Sequence, residues 1–154
     1  MIKIEPDCPY CKGGSAVTWA LPVCELKTGT VYLNKEQSKL GRCTLAYKDH
    51  IRELFDLPDE ERNEFFADVA ILARALSNLF NPDKINYGAY GDMMPHLHFH
   101  LVPKYKDQNE WGGTFTMNPN EHFLQDCEYA NMICKIKAAI EVEVSIYYIS
   151  AKES

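Results

Sequence analysis

The sequence predicts an α+β fold, on three observations. Phe65, Val69, Leu72, Leu76 and Phe80 recur every three or four residues, the spacing that gives a helix one apolar side. Several short apolar or alternating runs surround that stretch and have the length and composition of strands. Near the end, Tyr129, Met132, Ile133, Ile136 and Ile140 repeat the helical spacing. Helices with one apolar side beside strand-like runs can bury that side against the sheet the strands form.

Taken in order, Cys8-Pro9-Tyr10-Cys11-Lys12-Gly13-Gly14 reads as a turn-rich knuckle. Val17 to Leu21 and Val31 to Leu33 read as strands, and Asn34-Lys35-Glu36-Gln37 as a polar connection. Arg42 to Tyr47 reads as a strand with Cys43, Leu45 and Tyr47 on one side. The long helix is expected to start with Asp56 as its cap, carry Pro58 and Asp59-Glu60-Glu61 in its first turn, and stop at Asn81-Pro82. Ile85 to Ala89 and Pro95 to Val102 are further strands. Lys104 to Pro119, with Trp111-Gly112-Gly113, is long for a plain loop and suggests a lid or a partner contact. Asp126 to Glu141 is helical, while Val142 to Ile149 fits either a strand or a continuation of that helix.

The 154 residues suit a single domain, 1–154, with a C-terminal extension from about residue 105. The formal net charge of -6 argues against a binder of duplex nucleic acid. It leaves room for a small phosphate-bearing ligand, which a few local donors can hold. No apolar run is long enough to span a bilayer, and Met1 to Asp7 lacks the apolar stretch of an export signal, so the expected location is cytoplasmic. The six cysteines are then expected to be reduced thiols rather than a disulfide framework.

The chemistry concentrates in Pro95-His96-Leu97-His98-Phe99-His100-Leu101-Val102-Pro103. With a period of two, His96, His98 and His100 share one strand face, and Leu97, Phe99 and Leu101 the other. Three imidazoles in strict alternation are a poor choice for a solvated sheet face, where β-branched and aromatic residues are favoured. One ion held by all three would need awkward rotamers at Zn–N distances of about 2.0–2.1 Å. Separate roles for the three rings are easier to build.

The stretch His96-Leu97-His98-Phe99-His100-Leu101-Val102 resembles the motif of the histidine triad (HIT) family. Lys48-Asp49-His50, Leu54 to Glu61 and Ile85-Asn86-Tyr87-Gly88 resemble its surrounding segments, so the similarity runs from about Cys8 to Lys104. The resemblance implies an antiparallel sheet packed with one long helix and a C-terminal helix, in a domain that often forms homodimers. It implies hydrolysis or transfer at the α-phosphate of a small nucleotide. His98 is the implied nucleophile, forming a nucleotidyl-histidine that water then cleaves, with the His96 carbonyl fixing its tautomer. His100 is the implied donor toward the phosphate or the leaving group. Asn86 and Lys104 are the implied substrate contacts, and Lys48 shares with Lys104 the candidacy for outer phosphates.

Cys8-x-x-Cys11 is a weak signal alone. Alongside the resemblance it becomes a set of Cys8, Cys11, His50 and His96, two thiolates and two imidazoles suited to structural Zn2+. A redox pair or two buried thiols are the alternatives. The expected activity is that of bacterial HIT members that hydrolyse dinucleoside polyphosphates. Nucleoside phosphoramidate hydrolysis is the alternative within enzymes, and a nucleotide-binding or interaction protein with little catalysis is the alternative outside them. Gly91-Asp92-Met93-Met94 departs from the family, which often carries glutamine and a hydroxyl residue there. Met93 cannot donate as a hydroxyl can, and an ionised Asp92 repels phosphate.

Overall fold

Residues 4–12 and 18–153 are described in the computed structural model. Their strands are β1 (Ala20–Glu25), β2 (Gly29–Asn34), β3 (Cys43–Tyr47), β4 (Lys84–Gly88) and β5 (His98–Lys104). Their long helices are α1 (Asp59–Phe80) and α2 (Asp126–Glu153). The strands form one antiparallel sheet in the order β1-β2-β3-β5-β4. Both helices pack on it, as the apolar spacing predicts.

Alternation divides the sheet into two working faces. Val31, Leu33, Cys43, Leu45, Tyr47 and Leu101 are buried toward the helices, against Phe65, Val69, Leu72 and Leu76 of α1 and Ile136 and Ile140 of α2. Cross-strand partners share a face, so Tyr32↔Thr44, Thr44↔His100, Ala46↔His98 and Gly88↔His100 make up the opposite one. Gly29 is where β2 passes closest to β3: a Cβ there would lie 2.1 Å from the Ala46 carbonyl oxygen.

Several boundaries differ from the sequence reading. Gly13, Gly14 and Val17 lie outside the described residues, and the first strand runs Ala20–Glu25 rather than ending at Leu21. Its span follows from pairing with β2 through a short turn, in which the Leu26 N–H reaches the Gly29 carbonyl at 2.8 Å. That pairing slips between Pro22 and Cys24. Asp56 does not cap α1. It closes a short 3-10 turn, Leu54–Asp56, and Pro58 occupies the cap position with no side-chain bond. The helix start relies instead on Asp59, Glu60 and Glu61 beside its positive dipole end. It stops at Asn81, left-handed at φ 47°, directly before Pro82. The histidine strand begins at His98, not Pro95. Pro95 has no N–H to give, and the N–H groups of His96 and Leu97 go to the carbonyls of Met94 (2.7 Å) and Ile51 (2.6 Å).

Val142 to Ile149 continues α2 as helix. Glu143 shows why. Its buried carboxylate accepts from Arg74 Nε at 3.0 Å and Asn78 Nδ2 at 2.8 Å, both on α1, so buried positions keep the helical spacing Tyr129, Ile136, Ile140, Glu143. Among the described residues no helix is long and apolar enough to cross a membrane.

A second buried carboxylate ties α1 to the β1–β2 turn. Asp68 Oδ2 accepts from Thr28 N–H at 2.7 Å and Thr28 Oγ1 at 2.6 Å. Burial still raises its carboxyl above the usual range, against the pull of those donors. Asp68→Ala leaves the Thr28 amide unsatisfied and is expected to cost about 2–4 kcal/mol in urea unfolding. Asp68→Asn retains an acceptor and should cost less.

Candidate functional site

The three histidines sit where β5 meets the N-terminal knuckle, and hydrogen bonding assigns each ring a different state. His96 Nε2 lies 2.7 Å from the Tyr47 carbonyl, which can only accept. The proton is therefore on Nε2, and Nδ1 presents a lone pair to Cys8 Sγ at 3.4 Å and Cys11 Sγ at 3.6 Å. His98 Nδ1 donates to the His96 carbonyl at 2.5 Å, which leaves Nε2 unprotonated. His100 Nδ1 lies 3.3 Å from Arg42 Nη2 and 3.0 Å from Thr44 Oγ1.

Burial lowers the basicity of all three rings. His96 falls to about 4 and His100 to about 3, the latter helped by the charge of Arg42 and by the neighbouring His98 ring, and His98 is pushed below its ordinary value chiefly by desolvation. Neutral imidazoles are the form that can attack or ligate.

Cys8, Cys11, His50 and His96 form a candidate metal site, their ligand atoms all within 4.8 Å of one another. His50 Nδ1 is 3.3 Å from Cys11 Sγ. Tetrahedral zinc with ordinary Zn–S and Zn–N bonds sets its S and N ligands about 3.5 Å apart. Three of the four S···N separations here, 3.3, 3.4 and 3.6 Å, match. The bond from His96 Nε2–H to the Tyr47 carbonyl is the outer contact that typically orients a metal-bound imidazole. The described cysteines are all free, as expected for reduced thiols.

Tyr10, between the two cysteines in sequence, joins this cluster to the next. Its buried ring lies 5.4 Å from that of His96 and 5.2 Å from that of His98. Beyond it opens a cavity of about 470 Å³, whose lining includes Tyr10, Trp19, Asn34, Arg42, Tyr90, Asp92, His98 and His100. Neither His98 Nε2 nor His100 Nε2 has a hydrogen-bond partner among the described residues.

Of the residues singled out in the sequence, the cavity brings together His98, His100, Tyr90 and Asp92, with Met93 and Met94 at its edge. Asn86 faces the same side of the sheet through its pairing with Val102, but does not line the cavity. The Lys104 ammonium is buried and donates to the carbonyls of Glu110 (2.6 Å) and Gly113 (2.7 Å). It shapes the segment after β5. Lys48 is exposed beside the Tyr47 ring, His122 is exposed elsewhere, and Trp111 is half-exposed outside the cavity. The segment does reach the site through Met117 and Asn118, which form part of the wall.

Arg42, Thr44 and Asn34 escaped the sequence reading. Their signal was present: the alternation that sends Cys43, Leu45 and Tyr47 to the core sends Arg42 and Thr44 to the histidine face. Gly41, at φ 82°, makes the turn that delivers Arg42.

Comparison with known proteins now decides the family. The HIT domain matches residues 25–107, more than half of the chain. The protein belongs to the HIT family. It is thereby a member of an enzyme superfamily that performs histidine-mediated chemistry on nucleotides. Its fold resembles a histidine triad protein from Marinobacter aquaeolei VT8, with a TM-score of 0.73 at 23% identity over 80% of this chain and 90% of that one. It also resembles a zinc-bound histidine triad family protein from Mycobacterium smegmatis, with a TM-score of 0.67 at 21% identity over 91% and 97%. In sequence, this HIT protein is 26% identical over 106 residues to an adenosine 5'-monophosphoramidase of Saccharomyces cerevisiae. That match covers 66% of this chain and 65% of the yeast one.

Proposed function

We propose that this protein hydrolyses nucleoside phosphoramidates, with His98 as nucleophile. The observation that carries the reading is the pair of rings at the cavity wall. His98 holds Nε2 as a free lone pair because Nδ1–H is committed to the His96 carbonyl. In the first step the Nε2 lone pair forms a bond to the α-phosphorus and the P–N bond breaks. Its electron pair leaves with the nitrogen, which takes one proton from solvent water as the bond breaks and departs as neutral amine. The His98 ring becomes cationic, and the His96 carbonyl, accepting from Nδ1–H, stabilises that charge. In the second step water attacks phosphorus, the bond pair returns to Nε2, and a proton goes to solvent. His100 Nε2–H donates to a phosphoryl oxygen as charge develops there.

The cavity favours the amidate over a dinucleoside polyphosphate. Arg42 is the one cationic side chain among its described lining residues, while Asp92, exposed at the rim, is a carboxylate. A chain of phosphates needs several cations and would meet Asp92 unfavourably. One phosphate with an amine leaving group suits both. The yeast relative, named for its action on adenosine 5'-monophosphoramidate, supports the same choice. Asn86 and Lys104 act on substrate only indirectly in this reading, through the sheet and the segment behind it. Cys8, Cys11, His50 and His96 would hold zinc in a structural role, since four protein ligands leave no open position for water. The zinc-bound relative supports that assignment.

The test is to compare kcat/KM for adenosine 5'-phosphoramidate and diadenosine tetraphosphate under identical conditions. The amidate is expected to be preferred at least about tenfold, a difference of about 1.4 kcal/mol in transition-state stabilisation. Preference for the tetraphosphate overturns the substrate assignment. Turnover of neither overturns the activity.

A further inference from the structure

Arg42 is the most deeply buried cation described, at 1% exposure, and no described carboxylate lies within ion-pair distance of it. Its guanidinium is held by neutral groups. Nη1 donates to the Met117 carbonyl and to Asn118 Oδ1 at 3.2 Å, Nη2 approaches Met117 Sδ at 2.8 Å, and the Phe115 ring centroid is 5.4 Å away. Nε is buried without a partner. A charge kept in such surroundings costs free energy, which a merely structural position would avoid with an apolar side chain.

Its one contact with the triad has only one chemical solution. A guanidinium cannot accept a hydrogen bond and does not give up its proton in proteins. At 3.3 Å from Arg42 Nη2, His100 Nδ1 must therefore be the acceptor. The single ring proton of neutral His100 is then on Nε2. A doubly protonated ring would set an N–H against an N–H beside a fixed positive charge. Thr44 Oγ1, 3.0 Å from the same Nδ1, has one hydrogen: given to Asn34 Oδ1 at 2.9 Å it turns a lone pair to the ring and favours Nδ1–H, so the tautomer that Arg42 imposes goes with an Asn34 amide turned to donate to Oγ1, freeing the hydroxyl hydrogen for Nδ1.

We propose that Arg42 is a positioning residue that acts through His100, holding it as the neutral Nε2–H tautomer so that the ring meets the phosphoryl group as a hydrogen-bond donor. His98 and His100 then carry opposite tautomers, one Nε2 bare and the other protonated. The His96 carbonyl imposes the first and Arg42 the second. Exchanging the second would place two lone pairs at the phosphoryl group and remove the donor where negative charge develops.

The rate arm of this inference rests on the phosphoramidate reading; the tautomer arm does not. Long-range 1H–15N correlation spectra of the full-length, metal-replete protein read both ring nitrogens directly. Wild type is expected to show a protonated Nε2 and an unprotonated Nδ1 for His100. An Nδ1–H signal in wild type overturns the proposal with no variant required. Arg42→Met is expected to lose or mix the tautomers and to lower kcat roughly 10–100-fold with a much smaller change in KM. Arg42→Lys, which keeps a charged donor, should restore the wild-type spectrum and part of the rate. An Arg42→Met protein with the wild-type His100 pattern overturns the proposal, whether its kcat is unchanged or reduced. Should wild type turn over no nucleotide, the spectra still decide the tautomer, and the failure belongs to the substrate reading.

Discussion

His98→Ala is expected to lower kcat for adenosine 5'-phosphoramidate by roughly 10³-fold or more, as removal of a covalent nucleophile does elsewhere. The residual rate would come from positioning by the rest of the cavity. Nucleotide binding should survive, because the groups around the phosphate remain. Tyr10, Trp19 and Tyr90 still line the cavity, and His100, held by Arg42, still presents its donor. Calorimetric titration with AMP should show affinity within a few-fold of wild type while turnover is lost. Rapid acid quench of wild type should trap a nucleotide on a histidine, and peptide mapping should place it at His98. Wild-type rates from His98→Ala, or a trapped nucleotide on another residue, would remove His98 from the nucleophile's role.

The second large effect is expected at the metal site. Purified protein should contain close to one zinc per chain, and Cys8→Ser with Cys11→Ser should abolish that stoichiometry. A ligand at a thousandfold its dissociation constant stabilises the folded state by about 4 kcal/mol. For a chain of this size that corresponds to a fall of about 10 °C in Tm on removal, measurable by calorimetry. Activity should fall as well, although no cluster ligand other than His96 belongs to the triad. Tyr10 transmits the loss. It is buried with Cys8, Ala20, Tyr32 and Ala46, and its ring lies against both His96 and His98. Freeing the knuckle removes one wall of the cavity and one side of the nucleophile's packing. Tyr10→Ala should therefore reproduce part of the activity loss while retaining zinc. Full activity in zinc-free protein would separate the two clusters.

The fold was legible in the sequence because its main elements are amphipathic. Phe65, Val69, Leu72 and Leu76 bury on one helix side, and Cys43, Leu45 and Tyr47 on one sheet side, where periodicity alone places them. Asp56 misled because a competent cap residue two positions too early is indistinguishable by composition from one in place. Val142 to Ile149 was undecided because β-branched and aromatic residues suit both readings. Only the contact of Glu143 with Arg74 and Asn78 selects helix. Within the site, the histidines and the metal ligands were legible from residue chemistry and from family resemblance. Asn86 and Lys104 were assigned by position along the chain, which does not say what a side chain reaches, and Lys104 reaches loop carbonyls. Arg42 was missed because a lone arginine before a strand usually means surface. Its burial depends on Phe115, Met117 and Asn118, more than seventy residues later.

The slip in pairing between Pro22 and Cys24 bears on how the sheet can grow. Both outer strands of a sheet expose unpaired backbone groups that can recruit another chain. In β1, proline withdraws a donor and the irregularity bends the strand, so that edge is a poor template for addition. The β4 edge is short and carries an exposed lysine at its start, but its register with β5 is unbroken from Lys84 to Gly88. Among the described residues the two edges therefore differ: β4 is the more regular template for an added strand, and β1 the poorer one.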